Sequence, residues 1–383
     1  MNEEKNLKIK NAFIFISIIF FVTIIFICLI EGFAYSGYVI LGNHRLDNEV
    51  YANKSWAPAC FKEVENFEYY PYTGFRRVPN YHSECINLNE EALRYTWNPQ
   101  YSATNKSIKI FCFGGSTMWG TGARDNFTIP SFLSKKLYDR GYSVEITNFG
   151  ESGYVSTQEL IRLELELKKG NIPDLVIFYD GINDDYSSYQ NKIAGFPLNM
   201  EKRQLEYNSY SQTGILYSLT SVIKNSYSLM GVKYTLSKIQ SDKTKSIQYS
   251  NNEFLNLSNA TVDVYFNNVD FIKSLERSYG FKSYFFIQPT IFTKKDLSLT
   301  EQSISDKDQN NYVNIKEFLA ICDNVTRSRI NSSQDKNIYY LGDAFNKKNT
   351  TIFIDMFHIS EEGNQIIAEN MMNEIVNDLS KKK

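Results

Sequence analysis

The sequence predicts an α/β protein: a three-layer α/β/α sandwich around a mostly parallel sheet, with one N-terminal transmembrane helix. Three observations carry this reading. From Ser107 onward, strand-like and helix-like runs alternate, the order that sets helices on both faces of a parallel sheet. The run PDLVIFYDG is apolar at consecutive positions, which suits a strand buried on both faces. The stretch Ala12–Ile30, AFIFISIIFFVTIIFICLI, is nineteen residues without a charge, long enough to cross a bilayer core at about 1.5 Å per helical residue.

The elements follow in order. Lys5, Lys8 and Lys10 precede the apolar run and Glu31 follows it. The positive-inside bias then makes residues 1–11 a cytoplasmic tail, residues 12–33 the transmembrane helix, and the rest extracytoplasmic. A cleaved signal peptide is the competing reading; it needs a shorter apolar core and a small-x-small cleavage site, which EGFAYSGYV supplies poorly. Residues 34–105 read as a stalk and a wrapping segment, irregular and aromatic, centred on YYPYTGFRRVPNYHSE. Residues 106–380 form the main domain. There IKIFCF is a strand, and IPSFLSKKLYDRG is a helix with apolar spacing at Phe132, Leu133 and Leu137, stopped at Gly141. SVEITNFG is a strand, and STQELIRLELELKKG is a helix with Ser156 as N-cap and Gly170 at its end. After PDLVIFYDG the alternation breaks, and residues 186 to about 250, polar and tyrosine-rich, read as an insertion or lid. It resumes with a helix near Asn252–Tyr279, the strand KSYFFIQP, a helix near Asn311–Arg329, the strand NIYYLGDAF and a final helix from Glu361.

Composition narrows the function. The chain has 383 residues, 43% of them hydrophobic, enough for a large core. A net charge of −2 without a basic run leaves nucleic acid an unexpected partner. The three histidines, His44, His82 and His358, lack metal-ligand spacing, and neither HExxH nor CxxC occurs, so no metal is expected. Cys28 lies in the apolar span, and Cys112 and Cys322 read as core thiols. Cys60 and Cys85 either pair, closing a loop worth roughly 3 kcal/mol in an oxidising compartment, or are unrelated. The N-x-S/T triplets, Asn126-Phe-Thr128 among them, are expected by chance in a chain this rich in asparagine.

Ligands of open α/β sheets bind beyond the carboxyl ends of the strands, and those ends carry unusual residues here: Gly114-Gly115-Ser116, then NFGESG, then YDGIND, with DMFHISEEG before the last helix. A serine nucleophile needs a base, an acid to orient that base, and donors for the oxyanion. Ser116, His358 and Asp355 fit the first three roles. The amides of Ser116 and Gly153 and the side chain of Asn183 fit the last. Each piece alone has a plainer explanation. Gly-Gly-Ser is an ordinary turn, Asp355 and His358 could cap the following helix, and Asn183 suits a turn, with Asp184 and Asp185 solvated or capping. The GxSxG elbow is excluded by Met118, and a P-loop by Thr121 in place of lysine. Their order along the chain and their placement at strand ends give the combination its weight.

In that combination GGST, NFGESG, GIND and DMFH, the chain resembles the SGNH hydrolase superfamily, the GDSL-type esterases and lipases, over about Ile108 to Met372 outside the insertion. The resemblance implies a flavodoxin-like three-layer fold with no metal or organic cofactor. It implies Ser116 as nucleophile, Asp355 and His358 completing the triad, and Ser116, Gly153 and Asn183 forming the oxyanion hole. One position departs: the family's usual Gly-Asp-Ser is Gly114-Gly115-Ser116 here. The stretch from YYPYTGFRR to INLNEEALR is similar, more loosely, to the lead-in of membrane-anchored SGNH proteins linked to envelope polysaccharides. The expected activity is acyl transfer through a serine ester, with an acylated carbohydrate or a lipid ester as substrate. Water as acceptor makes an esterase, a sugar hydroxyl an O-acyltransferase supplied by a membrane-embedded acyl donor. A catalytically silent glycan-binding module is the non-enzymatic alternative. Trp119, beside the serine, reads either as a sugar-stacking ring or as core.

Overall fold

A computed structural model describes residues 2–41, 50–51, 54–57, 60, 66–100, 107–201, 203–204, 226–229, 231–232 and 251–380. The chain divides into two compact units, residues 1–45 with 203–246, and residues 46–202 with 247–383.

The first unit is dominated by α1 (Asn2–Leu41), longer at both ends than the predicted 12–33, so that the expected stalk begins as helix. Its residues Lys5–Gly37 are long and apolar enough to cross a membrane or to act as a signal sequence. Phe13, Ile16, Phe20, Phe21 and Phe26 each expose more than half of their surface, unlike the core helix of a soluble domain. Most of the expected insertion after residue 204 lies outside the described residues; its first residues, 186–191, are helix.

The second unit holds a five-stranded parallel sheet. After a small antiparallel pair, β1 (Phe67–Glu68) with β2 (Arg76–Arg77), the chain builds β3 (Ile108–Gly114), β4 (Val144–Asn148), β5 (Leu175–Asp180), β6 (Lys282–Ile287) and β7 (Ile338–Tyr340). They lie in the order β4-β3-β5-β6-β7, every neighbouring pair parallel. The helices are α2 (Ser116–Trp119), α3 (Ile129–Asp139), α4 (Ser156–Lys168), α5 (Ile182–Asn191), α6 (Asn251–Tyr279), α7 (Leu299–Asn311), α8 (Ile315–Ser332) and α9 (Glu361–Ser380). Alternate strand residues face opposite layers. Ile110, Cys112, Ile177, Tyr179 and Phe286 pack against α3, α8 and α9. Phe111, Phe113, Val176, Phe178 and Phe285 pack against α4 and α6. On that second face Phe113, Phe178 and Phe285 stack at 5.2 Å centroid spacing across β3, β5 and β6, a cross-strand ladder that helps fix register.

Three expectations need correction. Val155, not Ser156, is the N-cap of α4. The helix near Asn311–Arg329 is α8, which starts only at Ile315 after Asn314 in the left-handed region (φ 60°), and α7 ahead of it was not expected. NIYYLGDAF supplies only three strand residues, as befits an edge strand.

Residues 66–98 pack on the sheet. Asn98 pairs both ways with the backbone of Ile146, donating to its carbonyl and accepting from its amide at 2.9 Å. Arg94 bridges to Asn148. The open edge of β4 is thereby covered. Cys60 and Cys85 are bonded to each other and pack with Leu88 and Trp119. Arg94 itself is buried. Its guanidinium donates to Asp125 at 2.9 Å and to the carbonyls of Trp119, Gly120 and Ala123 at 3.1, 2.7 and 2.6 Å. Removing one member of a buried pair leaves the other charge uncompensated. Arg94→Ala should therefore cost about 3–5 kcal/mol in denaturant unfolding of the detergent-solubilised chain; a loss under about 1 kcal/mol would show that the pair carries little.

Candidate active site

The strand order turns around between β3 and β5, since β4 lies on one side of β3 and β5 on the other. At such a switch point the crevice beyond the strand ends is open to ligands. Ser116 follows β3 and Asn183 follows β5 by three residues.

The serine is placed by its glycines. A side chain on Gly114 would meet Met118 Cβ and the carbonyl of Tyr179, both at 2.7 Å, so only glycine lets β3 turn into α2 there. Ser116 then opens α2, a four-residue helix. Such a helix cannot satisfy its own last carbonyls, and Arg94 takes those of Trp119 and Gly120. Trp119 is buried with its ring between two guanidinium groups, Arg77 at 3.7 Å and Arg94 at 4.3 Å from the centroid. It is core, and the sugar-stacking alternative is set aside.

The other partner comes from the turn before α9. His358 Nε2 lies 2.6 Å from Ser116 Oγ, and its Nδ1 lies 2.6 Å from Asp355 Oδ2. The other oxygen of Asp355 accepts the amides of His358 and Phe357 at 2.8 and 2.9 Å. Burial would raise the Asp355 carboxyl, but the His358 imidazole and those two amides outweigh it and hold it at about 2. The carboxylate is thus charged at every working pH and fixes an Nδ1–H tautomer, leaving Nε2 free to accept the serine proton.

The turns that carry the oxyanion candidates are tied to one another and to the end of β3. Glu151 donates its amide to the Gly114 carbonyl at 3.0 Å, drawing the turn after β4 toward Ser116. Gly153 sits in that turn at φ +75°, a left-handed conformation glycine adopts without strain. Asn183 Nδ2 donates to the Tyr154 carbonyl at 2.7 Å, which leaves its second N–H available. Among the described residues the amides of Ser116 and Gly153 donate to no acceptor. Ser116, His358 and Asp355 are thus brought into contact, and the turns that carry Gly153 and Asn183 lie beside the same strand end. Among the described residues no three His, Cys, Asp or Glu side chains are grouped to hold a metal.

Several residues that shape the site were not foreseen. Arg77 and Arg94 reach it from a segment with no spacing signal. Asp184, expected to be solvated or capping, is buried and accepts the amide of Ser156 at 3.0 Å and its hydroxyl at 2.6 Å. It fastens the Asn183 turn to the start of α4, and Asn268 of α6 donates to the same hydroxyl at 2.8 Å. Burial pushes the Asp184 carboxyl up to about 6 and drives Glu159 above the carboxylate range, with repulsion from Asp180 and Asp184 adding to it.

Gly115 has a separate explanation. Its φ of −78° suits any residue, but a Cβ there would lie 2.0 Å from Asn183 Nδ2. Asn183 occupies the space in which a side chain at position 115 would stand.

Comparison with known proteins assigns the chain to a family. The family model for GDSL-like lipase/acylhydrolase matches residues 110–371, a span that contains all five site residues. No curated protein matches the chain. Among solved structures, the acetyl xylan esterase AlAXEase is 14% identical with a TM-score of 0.38, over 70% of this chain and 100% of that one. The Clostridium thermocellum family 3 carbohydrate esterase is 15% identical with a TM-score of 0.34, over 72% and 98%. A member of the lipolytic G-D-S-L family from Veillonella parvula DSM 2008 is 12% identical with a TM-score of 0.38, over 70% and 97%.

Two outcomes follow from the geometry. Gly115→Asp should displace Asn183 and lower kcat for p-nitrophenyl acetate by roughly 10²-fold, the scale of losing one oxyanion donor; a change under threefold would show that Asn183 is not needed where it sits. The Asp355 carboxyl is depressed in the fold, so its stabilisation is present above its unfolded value near 4 and is lost as pH falls toward 2. The thermal midpoint of wild type relative to Asp355→Asn should accordingly shrink between about pH 4 and 2 and stay level above that range.

Proposed function

Because the chain belongs to the GDSL-like lipase/acylhydrolase family, and is an ester-hydrolysing enzyme, we propose that it is a membrane-anchored, extracytoplasmic serine esterase that removes O-acetyl groups from cell-envelope carbohydrate. The observation that carries this reading is the continuous hydrogen-bonded chain from Ser116 through His358 to Asp355. The apolar helix with its flanking Lys5, Lys8 and Lys10 supports the anchor and its direction. The bond between Cys60 and Cys85 supports an oxidising compartment. An enzyme held there meets envelope polymers before it meets diffusing metabolites.

Ser116 is the nucleophile of the proposal. Its Oγ attacks the ester carbonyl carbon as its proton passes to His358 Nε2. Asp355 steadies the imidazolium through Nδ1. The carbonyl oxygen, now an oxyanion, takes hydrogen bonds from the Ser116 and Gly153 amides and the free N–H of Asn183. Collapse of the tetrahedral species breaks the C–O bond to the sugar, and the departing alkoxide takes the proton from Nε2. An acetyl ester remains on Ser116. Water, deprotonated by the same imidazole, repeats the sequence and releases acetate.

Ser116→Ala should cut hydrolysis of p-nitrophenyl acetate by at least about 10³-fold at unchanged folding. A loss under tenfold would place the nucleophile elsewhere. Since Asp355 stays ionised down to about 2, the acid limb of the rate should follow a single proton taken up by the imidazole; a two-proton limb would contradict that assignment.

A further inference from the structure

An open groove of about 630 Å³ lies between the segment ahead of β3 and the turn after α2. We propose that it is a saccharide subsite that holds the glycan chain carrying the ester; this rests on the esterase reading only for the ester, not for the sugar. Its volume falls in the range of small-molecule sites, roughly 300–1,000 Å³. Three aromatic rings line it: Trp56, Tyr95 and Phe127. Between two of them stands Arg124, its guanidinium 4.4 Å from the Trp56 centroid and 4.0 Å from that of Phe127. A two-pronged contact with Glu361, at 2.9 and 2.7 Å, holds it in that plane.

The chemistry of the lining selects the ligand. Two of its charges are already matched, Arg124 by Glu361 and Asp125 by Arg94, and the third, the exposed carboxylate of Glu84, is an acceptor. An anionic head group would find no free guanidinium, and a lipid chain would find a rim of polar atoms. What remains for a ligand are the Tyr95 ring, the parts of Trp56 and Phe127 that Arg124 does not cover, short polar groups and the Glu84 carboxylate, which accepts from hydroxyls. Tyr95 is 49% exposed. Among the described residues its hydroxyl and the side-chain amide of Asn126 have no partner. Rings for the apolar face of a pyranose, with donors and acceptors for its hydroxyls, describe an uncharged carbohydrate.

The groove is linked to the site through the chain, since Glu361, which holds Arg124, belongs to the helix that follows His358. Glu361 lies three residues beyond His358 in the sequence. Tyr51, edge-on to Trp56 at 5.6 Å, donates to the Gly122 carbonyl. Trp56 and Tyr95 lie outside the family-matched span of 110–371. Two of the three rings therefore come from the segment ahead of the family-matched span, and the third, Phe127, with Arg124 from within it.

The test uses the full chain in a detergent without a sugar head group, such as lauryldimethylamine oxide, in a Ser116→Ala background that cannot turn over an ester. Xylohexaose, chitohexaose and mannohexaose are titrated in turn by calorimetry. At least one should bind with Kd below about 1 mM, and Tyr95→Ala and Trp56→Phe should each weaken it at least fivefold. If none binds, or if both variants bind as the parent does, the subsite is overturned. With Ser116 restored, Tyr95→Ala should lower the ratio of kcat/KM for an acetylated hexaose to that for p-nitrophenyl acetate at least fivefold; an unchanged ratio likewise overturns it. Sugar binding that depends on Tyr95 in a chain that hydrolyses neither ester would sustain the subsite and overturn the esterase reading instead.

Discussion

The serine that opens α2 stands on a helix too short to hold itself, and a buried arginine from another part of the chain holds it instead. Four residues make one turn. Only the first of their carbonyls, that of Ser116, meets the amides that follow the helix, those of Gly120 and Thr121. Arg94 meets the carbonyls of Trp119 and Gly120, then that of Ala123, and closes on Asp125. A planar group with five donors is suited to such a cluster of acceptors, where a lysine could serve only as a point charge. Arg77 closes the other face of Trp119 and pairs with buried Glu151, whose amide ties the Gly153 turn to Gly114. The residues ahead of the sheet are therefore part of the frame of the site and more than a tether.

The same frame explains why the site is built from distant pieces without strain among them. The parallel sheet delivers two strand ends to one crevice. The buried network of Asp184, Ser156 and Asn268 fastens α4, α5 and α6 together beneath the Asn183 turn. Asp355 spends its two oxygens on three donors of its own turn, so the imidazole is oriented before any substrate arrives. Preorganised dipoles of this kind need no rearrangement at the moment charge develops.

Much of this was legible in the sequence because it is periodic or local. Continuous apolar runs gave the parallel strands, and Gly-Gly-Ser, Gly153, Gly-Ile-Asn-Asp and Asp-Met-Phe-His fell at strand ends in an order that one chemistry explains. Ser116, His358 and Asp355 meet as that order led one to expect. The misses are long-range. Nothing in FRRVP or ALRYTW announces that Arg77 and Arg94 will sandwich Trp119, because burial of a charge depends on partners more than twenty residues away. Asp184 was misjudged, and the sequence did not decide Trp119 between stacking and core, for the same reason: exposure is decided by packing, which one-dimensional spacing does not encode. Gly115 is legible only in three dimensions, as the space that Asn183 fills.

The central claim is that Ser116 is a nucleophile activated by its neighbours. Incubation of the detergent-solubilised chain with a fluorophosphonate, followed by peptide mass spectrometry, addresses it most directly. The account predicts one stoichiometric adduct, on Ser116, formed at least about 10³-fold more slowly in His358→Ala. An adduct on another residue, or labelling of Ser116 at the same rate without His358, would contradict it.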